Sequence, residues 1–189
     1  MTERFADIQL LRYEVPGFDG LPLRQKLLVY YLAEASLLGR DILWDQNCRY
    51  GLQIRKTLEA IYTHYQGDKN NSDWLAFVVY LKRVWFSNGI HHHYSCLKFQ
   101  PEFSKAFFLT EVNKLDASQI PFESIDELTE IIFNPDVMPK RVNHADGEDL
   151  LLTSSCNYYE EGITQAEAEA FYAELKQKAD PQKIGRAHV

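Results

Sequence analysis

The sequence predicts a mainly α-helical domain with a minor β component, and three observations carry that expectation. Apolar residues recur at helical spacing through residues 22–87, in stretches that end on glycine. Two capping boxes, Ser124 with Glu127 and Thr164 with Glu167, mark further helix starts. Only one short stretch, "LLLTSSCNYY" (150–159), reads as a strand. With 46% apolar and 13% aromatic residues in 189, the chain can fill one core and is no disordered polymer.

Element by element, "PLRQKLLVYYLAEASLLG" has Pro22 in its first turn, a stripe at Leu23, Leu27, Tyr31, Ala35 and Leu38, and Gly39 as its stop. The second helix runs through "RYGLQIRKTLEAIYTHYQG", with Tyr50, Ile54, Leu58, Ile61 and Tyr65 on one face and Gly67 at the end. "GDKNNS" is a loop in which Asn71 or Ser72 caps the third helix, "DWLAFVVYLKRVWFSNG". Its buried face is expected at Trp74, Phe77, Val78, Leu81 and Trp85, and Asn88-Gly89 closes it. Ser104 caps a helix in "SKAFFLTEVNKL", and the capping-box helices follow. No repeat, low-complexity tract or linker divides the chain.

A formal net charge of −7 without a basic patch argues against a nucleic-acid partner. No run approaches a membrane span, and residues 1–15 lack a signal-peptide layout. Cys48, Cys96 and Cys156 are odd in number and form no C-x-x-C pair. They read as reduced thiols, which points to a cytoplasmic location.

"SNGIHHHYS" holds three of the chain's six histidines in a row. Zinc needs three or four ligands converging at about 2.0–2.3 Å. Consecutive side chains fan out by ~100° on a helix and alternate faces on a strand, so at most His91 and His93 could share an ion. The segment follows a helix-ending Asn-Gly and is expected to be a loop presenting side chains at a surface or cleft. H-E-x-x-H, G-x-S-x-G, phosphate-loop and dinucleotide-binding patterns are absent. The acidic runs at Asp146, Glu148, Asp149 and at Glu160, Glu161 read as solvated turns. No complete active site is legible, so neither a catalytic nor a metal-binding residue is assigned.

Several long blocks nevertheless resemble one family. "FADIQLLRYEVPGF", "RQKLLVYYLAEASLLGRDILWDQN", "VYLKRVWFSNGIHHHYSCLKF", "PDVMPKRVNHADGEDLLLTSSCNYY" and "ITQAEAEAFY" look like the N-terminal region of bacterial dipeptidyl peptidase III. The likeness runs from Phe5 to about Lys178. It implies the N-terminal part of one lobe of a two-lobed zinc metallopeptidase, which releases dipeptides from the N-termini of short peptides. The family's zinc is held by two histidines of a His-Glu-x-x-Gly-His helix and by a later glutamate, none of which this chain contains. What the resemblance does carry over is a histidine segment beside the substrate cleft, on the lobe opposite the zinc. On that basis Asn88, Gly89, His91, His92, His93 and Tyr94 are the candidate substrate contacts.

Residues 184–189, "IGRAHV", match ATC GGA AGA GCA CAC GTC, a common sequencing adapter read in frame. They are expected to be a non-native tail on a lobe portion spanning 1–183, whose missing partner is the C-terminal remainder of its own chain. Two other readings stand beside this one: a self-standing helical interaction module without catalysis, and a small histidine metal-binding protein.

Overall fold

Four of the seven α-helices among the described residues start where a side-chain oxygen satisfies free N–H groups of the first turn, and the first three start without one. The computed structural model describes residues 3–122 and 124–178, so the expected tail at 184–189 lies outside the described residues. A small antiparallel sheet of β1 (Glu3–Phe5) and β2 (Ile8–Leu10) comes first, pairing Glu3 with Leu10 and Phe5 with Ile8. There follow α1 (Leu23–Leu38), α2 (Arg40–Asn47), α3 (Gly51–His64), α4 (Ser72–Ser87), α5 (Lys105–Val112), α6 (Ile125–Phe133) and α7 (Gln165–Lys178). The fold is mainly α-helical with a minor sheet, as the sequence predicts.

The caps fall on the expected residues. Asn71 Oδ1 accepts from Asp73 N–H at 2.8 Å and Trp74 N–H at 3.3 Å to start α4. Ser104 Oγ accepts from Phe107 N–H at 3.1 Å, and Ser124 Oγ from Glu127 N–H at 3.2 Å. At α7 the box closes both ways: Glu167 N–H donates to Thr164 Oγ1, and Thr164 N–H donates to Glu167 Oε2 at 2.9 Å.

The core forms where α3, α4, α5 and α6 meet. Ile54, Leu58 and Ile61 of α3 face Phe77, Leu81 and Val84 of α4, with Phe108, Val112, Leu128 and Ile132 completing it. Each fully enclosed side chain of this size contributes about 1.5–3 kcal/mol. Tyr65 leaves α3 in extended backbone and stacks on Trp74, ring centroids 3.9 Å apart. Gly51 is the close approach between α2 and α3: a Cβ there would sit 2.3 Å from the Trp44 carbonyl oxygen.

Three expectations need correcting. "LLLTSSCNYY" forms turns and irregular chain, and the strands lie at residues 3–10 instead. Apolar character made that stretch look strand-like, whereas its backbone bonds scatter between residues 140–141 and Gln46 and build no ladder. The stripe predicted on α1 is not buried: Leu27, Tyr31 and Leu38 are 44%, 64% and 87% exposed, and nothing on that helix is enclosed. Gly39, which ends α1, keeps right-handed helical angles, so the chain continues directly into α2. Finally, Trp85 turns to the rim of α4, and Tyr80, Val84 and Ser87 take the inner face with Trp74, Phe77 and Leu81.

Candidate functional site

The histidine segment is shaped by how α4 ends. Asn88 adopts the left-handed conformation (φ 50°), and Gly89 N–H closes on Val84 O at 3.1 Å. The chain then folds back on itself: Phe99 N–H donates to Ile90 O and His92 N–H to Leu97 O, both at 2.8 Å. Residues 96–98 lie in turn beside 139–141, through Lys98 N–H to Pro139 O at 3.0 Å and Arg141 N–H to Cys96 O at 2.8 Å. Ser155 and Cys156 N–H groups bond to the Lys140 and Arg141 carbonyls on the far side. Three irregular segments therefore run side by side behind the loop.

The three rings go to different places. His91 is 1% exposed and points inward, where Nε2–H donates to Met138 O at 2.8 Å. Its Nδ1 has no partner among the described residues. Burial pushes its pKa down to about 4, so the ring is neutral at physiological pH. His92 Nδ1 accepts from the N–H groups of Tyr94 and Ser95, each at 3.1 Å. That fixes the proton on Nε2, which donates to Asp7 Oδ2 at 3.1 Å. The Asp7 carboxyl is held below its ordinary range by its own backbone N–H, by His92 and by Arg83. His93 stacks on His92 with centroids 4.4 Å apart and meets Phe86 edge-on. Burial and the neighbouring His92 lower its pKa as well. Tyr94 is 85% exposed.

Of the six candidates, then, Tyr94 reaches freely into solvent, Asn88, His92 and His93 are half-buried, and Gly89 and His91 are enclosed. His91 and His92 have committed their Nε2 atoms to Met138 and Asp7, so the rings do not converge. Among the described residues no three His, Cys, Asp or Glu side chains are grouped to hold a metal ion.

Beside the loop opens a recess of about 590 Å³, lined by Met138, Pro139, Ser154, Cys156, Tyr159 and Arg49 among others. Arg49 pairs with Glu161 at 2.8 Å in its wall. Its Met138–Pro139 wall is the segment that pins His91 and Lys98, so loop and recess share one support. Lys98 is 8% exposed, and its ammonium donates to Asn134 O at 2.6 Å and Val137 O at 2.8 Å, just past the end of α6. Burial lowers its pKa to about 8.

Sequence reasoning missed Asp7, Lys98, Met138 and Arg141, the residues that hold the loop. No local signal marks them, because Asp7 and Met138 lie far from the histidines along the chain. The acidic run behaves as a turn: Asp149 Oδ1 accepts the N–H groups of Leu151 and Leu152. No helix among the described residues is long and apolar enough to cross a membrane. No family model matches this chain, and no curated protein matches it.

Proposed function

We propose that this chain is the N-terminal portion of one lobe of a zinc-dependent dipeptidyl peptidase that cleaves dipeptides from oligopeptide N-termini. The zinc ligands and the water-activating glutamate belong to chain beyond the residues seen here. The sequence blocks that resemble dipeptidyl peptidase III support this reading, and one structural observation carries it. From Leu23 to Leu43, apolar side chains stand exposed around both α1 and α2, with Leu28, Tyr31 and Leu32 at 59%, 64% and 61%. So many exposed large apolar side chains in one segment exceed the scattered few that a monomer's surface usually shows. A helix apolar on all sides belongs inside a larger body, and the remainder of the lobe is the cover proposed here.

In this reading His93 and Tyr94 meet the peptide at the loop's outer edge, while His91 and His92 hold the loop in shape. The three cysteines are free, in keeping with the proposed cytoplasmic location. The deciding experiment is to express the full open reading frame and assay dipeptide release from a chromogenic peptide. Chelator-sensitive turnover supports the reading; a frame without His-Glu-x-x-Gly-His, or an inactive zinc-loaded product, defeats it.

The same exposed surface favours a second reading, a self-standing helical module whose partner covers α1. It predicts a soluble monomer that melts cooperatively and whose dye binding at α1 falls once a partner covers that helix.

A further inference from the structure

Strand β2 has an open edge on which the peptidase reading makes no demand. A two-residue turn, Ala6-Asp7, closes the hairpin, with Ala6 in the left-handed region (φ 46°) that such turns favour. Phe5↔Ile8 is therefore a hydrogen-bonded pair, and bonding alternates from there through Arg4↔Gln9 to Glu3↔Leu10. Even-numbered residues of β2 turn their N–H and C=O groups to β1, and odd-numbered ones turn theirs to the other edge. Residues 9–15 are all exposed.

Leu11 to Val15 carry that edge onward without helix, turn or bend, until Gly17 (φ 85°) turns the chain. Among the described residues, the one backbone bond this stretch makes is Phe18 N–H to Val15 O, at 3.1 Å. Leu11, Tyr13 and Val15 alternate with Arg12 and Glu14. Extended backbone therefore puts the three apolar side chains on one face and the two charges on the other. Leu11, Tyr13 and Val15 are 55%, 83% and 70% exposed. Neither Arg12 nor Glu14 has an ion-pair partner among the described residues.

The order of those charges selects the occupant. When the stretch is laid antiparallel on a second copy, Tyr13 opposite Tyr13, Leu11 meets Val15 and Arg12 of each copy meets Glu14 of the other. The same register pairs the outward N–H and C=O groups of Leu11, Tyr13 and Val15, on the edge that β1 leaves free. Sliding one copy by a single residue sets the apolar face against the charged one. Centring on Arg12 or on Glu14 brings like charges together, and so does parallel pairing in register. A two-fold axis through Tyr13 thus satisfies backbone, apolar face and charges at once.

We propose that the chain forms a two-fold homodimer by antiparallel pairing of residues 11–15, joining two hairpins into one four-stranded sheet. Such a short stretch buries less than a standard interface, so the dimer is a weak one. The pairing rests on residues 3–17 alone and holds whether or not the chain belongs to a peptidase.

The test is sedimentation velocity of the full 189-residue chain over rising concentration. The parent is expected to pass from monomer toward dimer by about 0.5 mM. Arg12→Glu and Glu14→Arg, both at exposed positions, should each weaken self-association at least about tenfold, because two unlike pairs become two like ones. Mixed together, the two variants should associate with each other, since unlike charges again come face to face. The double variant Arg12→Glu/Glu14→Arg should recover self-association. The inference is overturned by any of three results. These are a parent that stays monomeric at about 0.5 mM, an association that neither single variant weakens, which belongs to the exposed α1 surface instead, and single variants that do not associate when mixed.

Discussion

Acidification tests the placement of His91 directly. The imidazole is enclosed, its Nε2–H is committed to Met138 O at 2.8 Å, and a second proton on Nδ1 would find no acceptor among the described residues. Burial therefore lowers the pKa from the ordinary 6.5 to about 4 in the folded chain. The folded state prefers the neutral ring, so between these values the unfolded chain binds the extra proton. Stability is full above about pH 6.5 and falls as pH drops toward 4. At 1.36 kcal/mol per pH unit, the interval amounts to about 3 kcal/mol, a sizeable share of a typical folding free energy. Carboxylates with lowered pKa values, Asp7 and Asp149 among them, withdraw their own contribution to stability at still lower pH. Urea midpoints measured from pH 7 to 4 must therefore be compared with those of His91→Gln and His91→Leu, which cannot titrate. The parent curve should fall more steeply than either variant between pH 6.5 and 4. Parallel curves would refute the enclosed, neutral ring, and with it the account of the loop as pinned from inside.

Gly51→Ala should cost about 1–3 kcal/mol in urea unfolding, because its Cβ would land 2.3 Å from the Trp44 carbonyl oxygen. Thr164→Ala should lower stability by about 1 kcal/mol through loss of the α7 capping box, measurable as reduced helical signal on heating. Leu28→Glu combined with Leu32→Glu should cut binding of a hydrophobic dye without lowering the urea midpoint, since both side chains stand exposed. A lower midpoint would mean that α1 is buried after all. The 189-residue chain should release no dipeptide from a chromogenic substrate even with added zinc; chelator-sensitive turnover would contradict the proposed division of the enzyme. In the proposed complete enzyme, His93→Ala and Tyr94→Phe should each lower kcat/KM by roughly 2- to 13-fold with zinc content unchanged.

What could be read from the sequence was whatever depends on near neighbours in the chain. Asn71, Ser104, Ser124 and Thr164 cap as expected because a cap needs only the following two or three residues. The face of α3 at Ile54, Leu58 and Ile61 was visible because a helical period is local. The failures share the opposite character. The stripe on α1 has the same period as that on α3, yet nothing among the described residues covers it, and no pattern within a helix reveals whether a partner exists. Residues 150–159 looked like a strand from composition, but a strand also needs a neighbour in register. Here the Ser155 and Cys156 N–H groups reach the Lys140 and Arg141 carbonyls, but no strand ladder continues along the stretch.

The run of histidines shows the same divide within three residues. Identical side chains in a row have identical chemistry, so composition alone offers a metal site. Backbone geometry then sends each ring a different way, and the distant chain decides what each one does. Met138 takes the first, making it a buried, neutral pin. Asp7, in the turn between β1 and β2, takes the second and fixes its tautomer. The third, stacked on the second and edge-on to Phe86, is left as the half-buried ring beside the exposed Tyr94. The pair left open for a shared ion, His91 and His93, is split: His91 Nε2–H is spent on Met138 O, while His93 stacks on His92. Removing the tether from Asp7 should therefore loosen the loop without creating a metal site. Asp7→Ala should speed amide exchange at Tyr94 and Ser95, whose N–H groups His92 Nδ1 accepts, because the ring loses its outer anchor. Zinc titration of that variant should show no stoichiometric binding. If Asp7→Ala instead leaves exchange at Tyr94 and Ser95 unchanged, the loop is held by backbone pairing alone and His92 is a passenger.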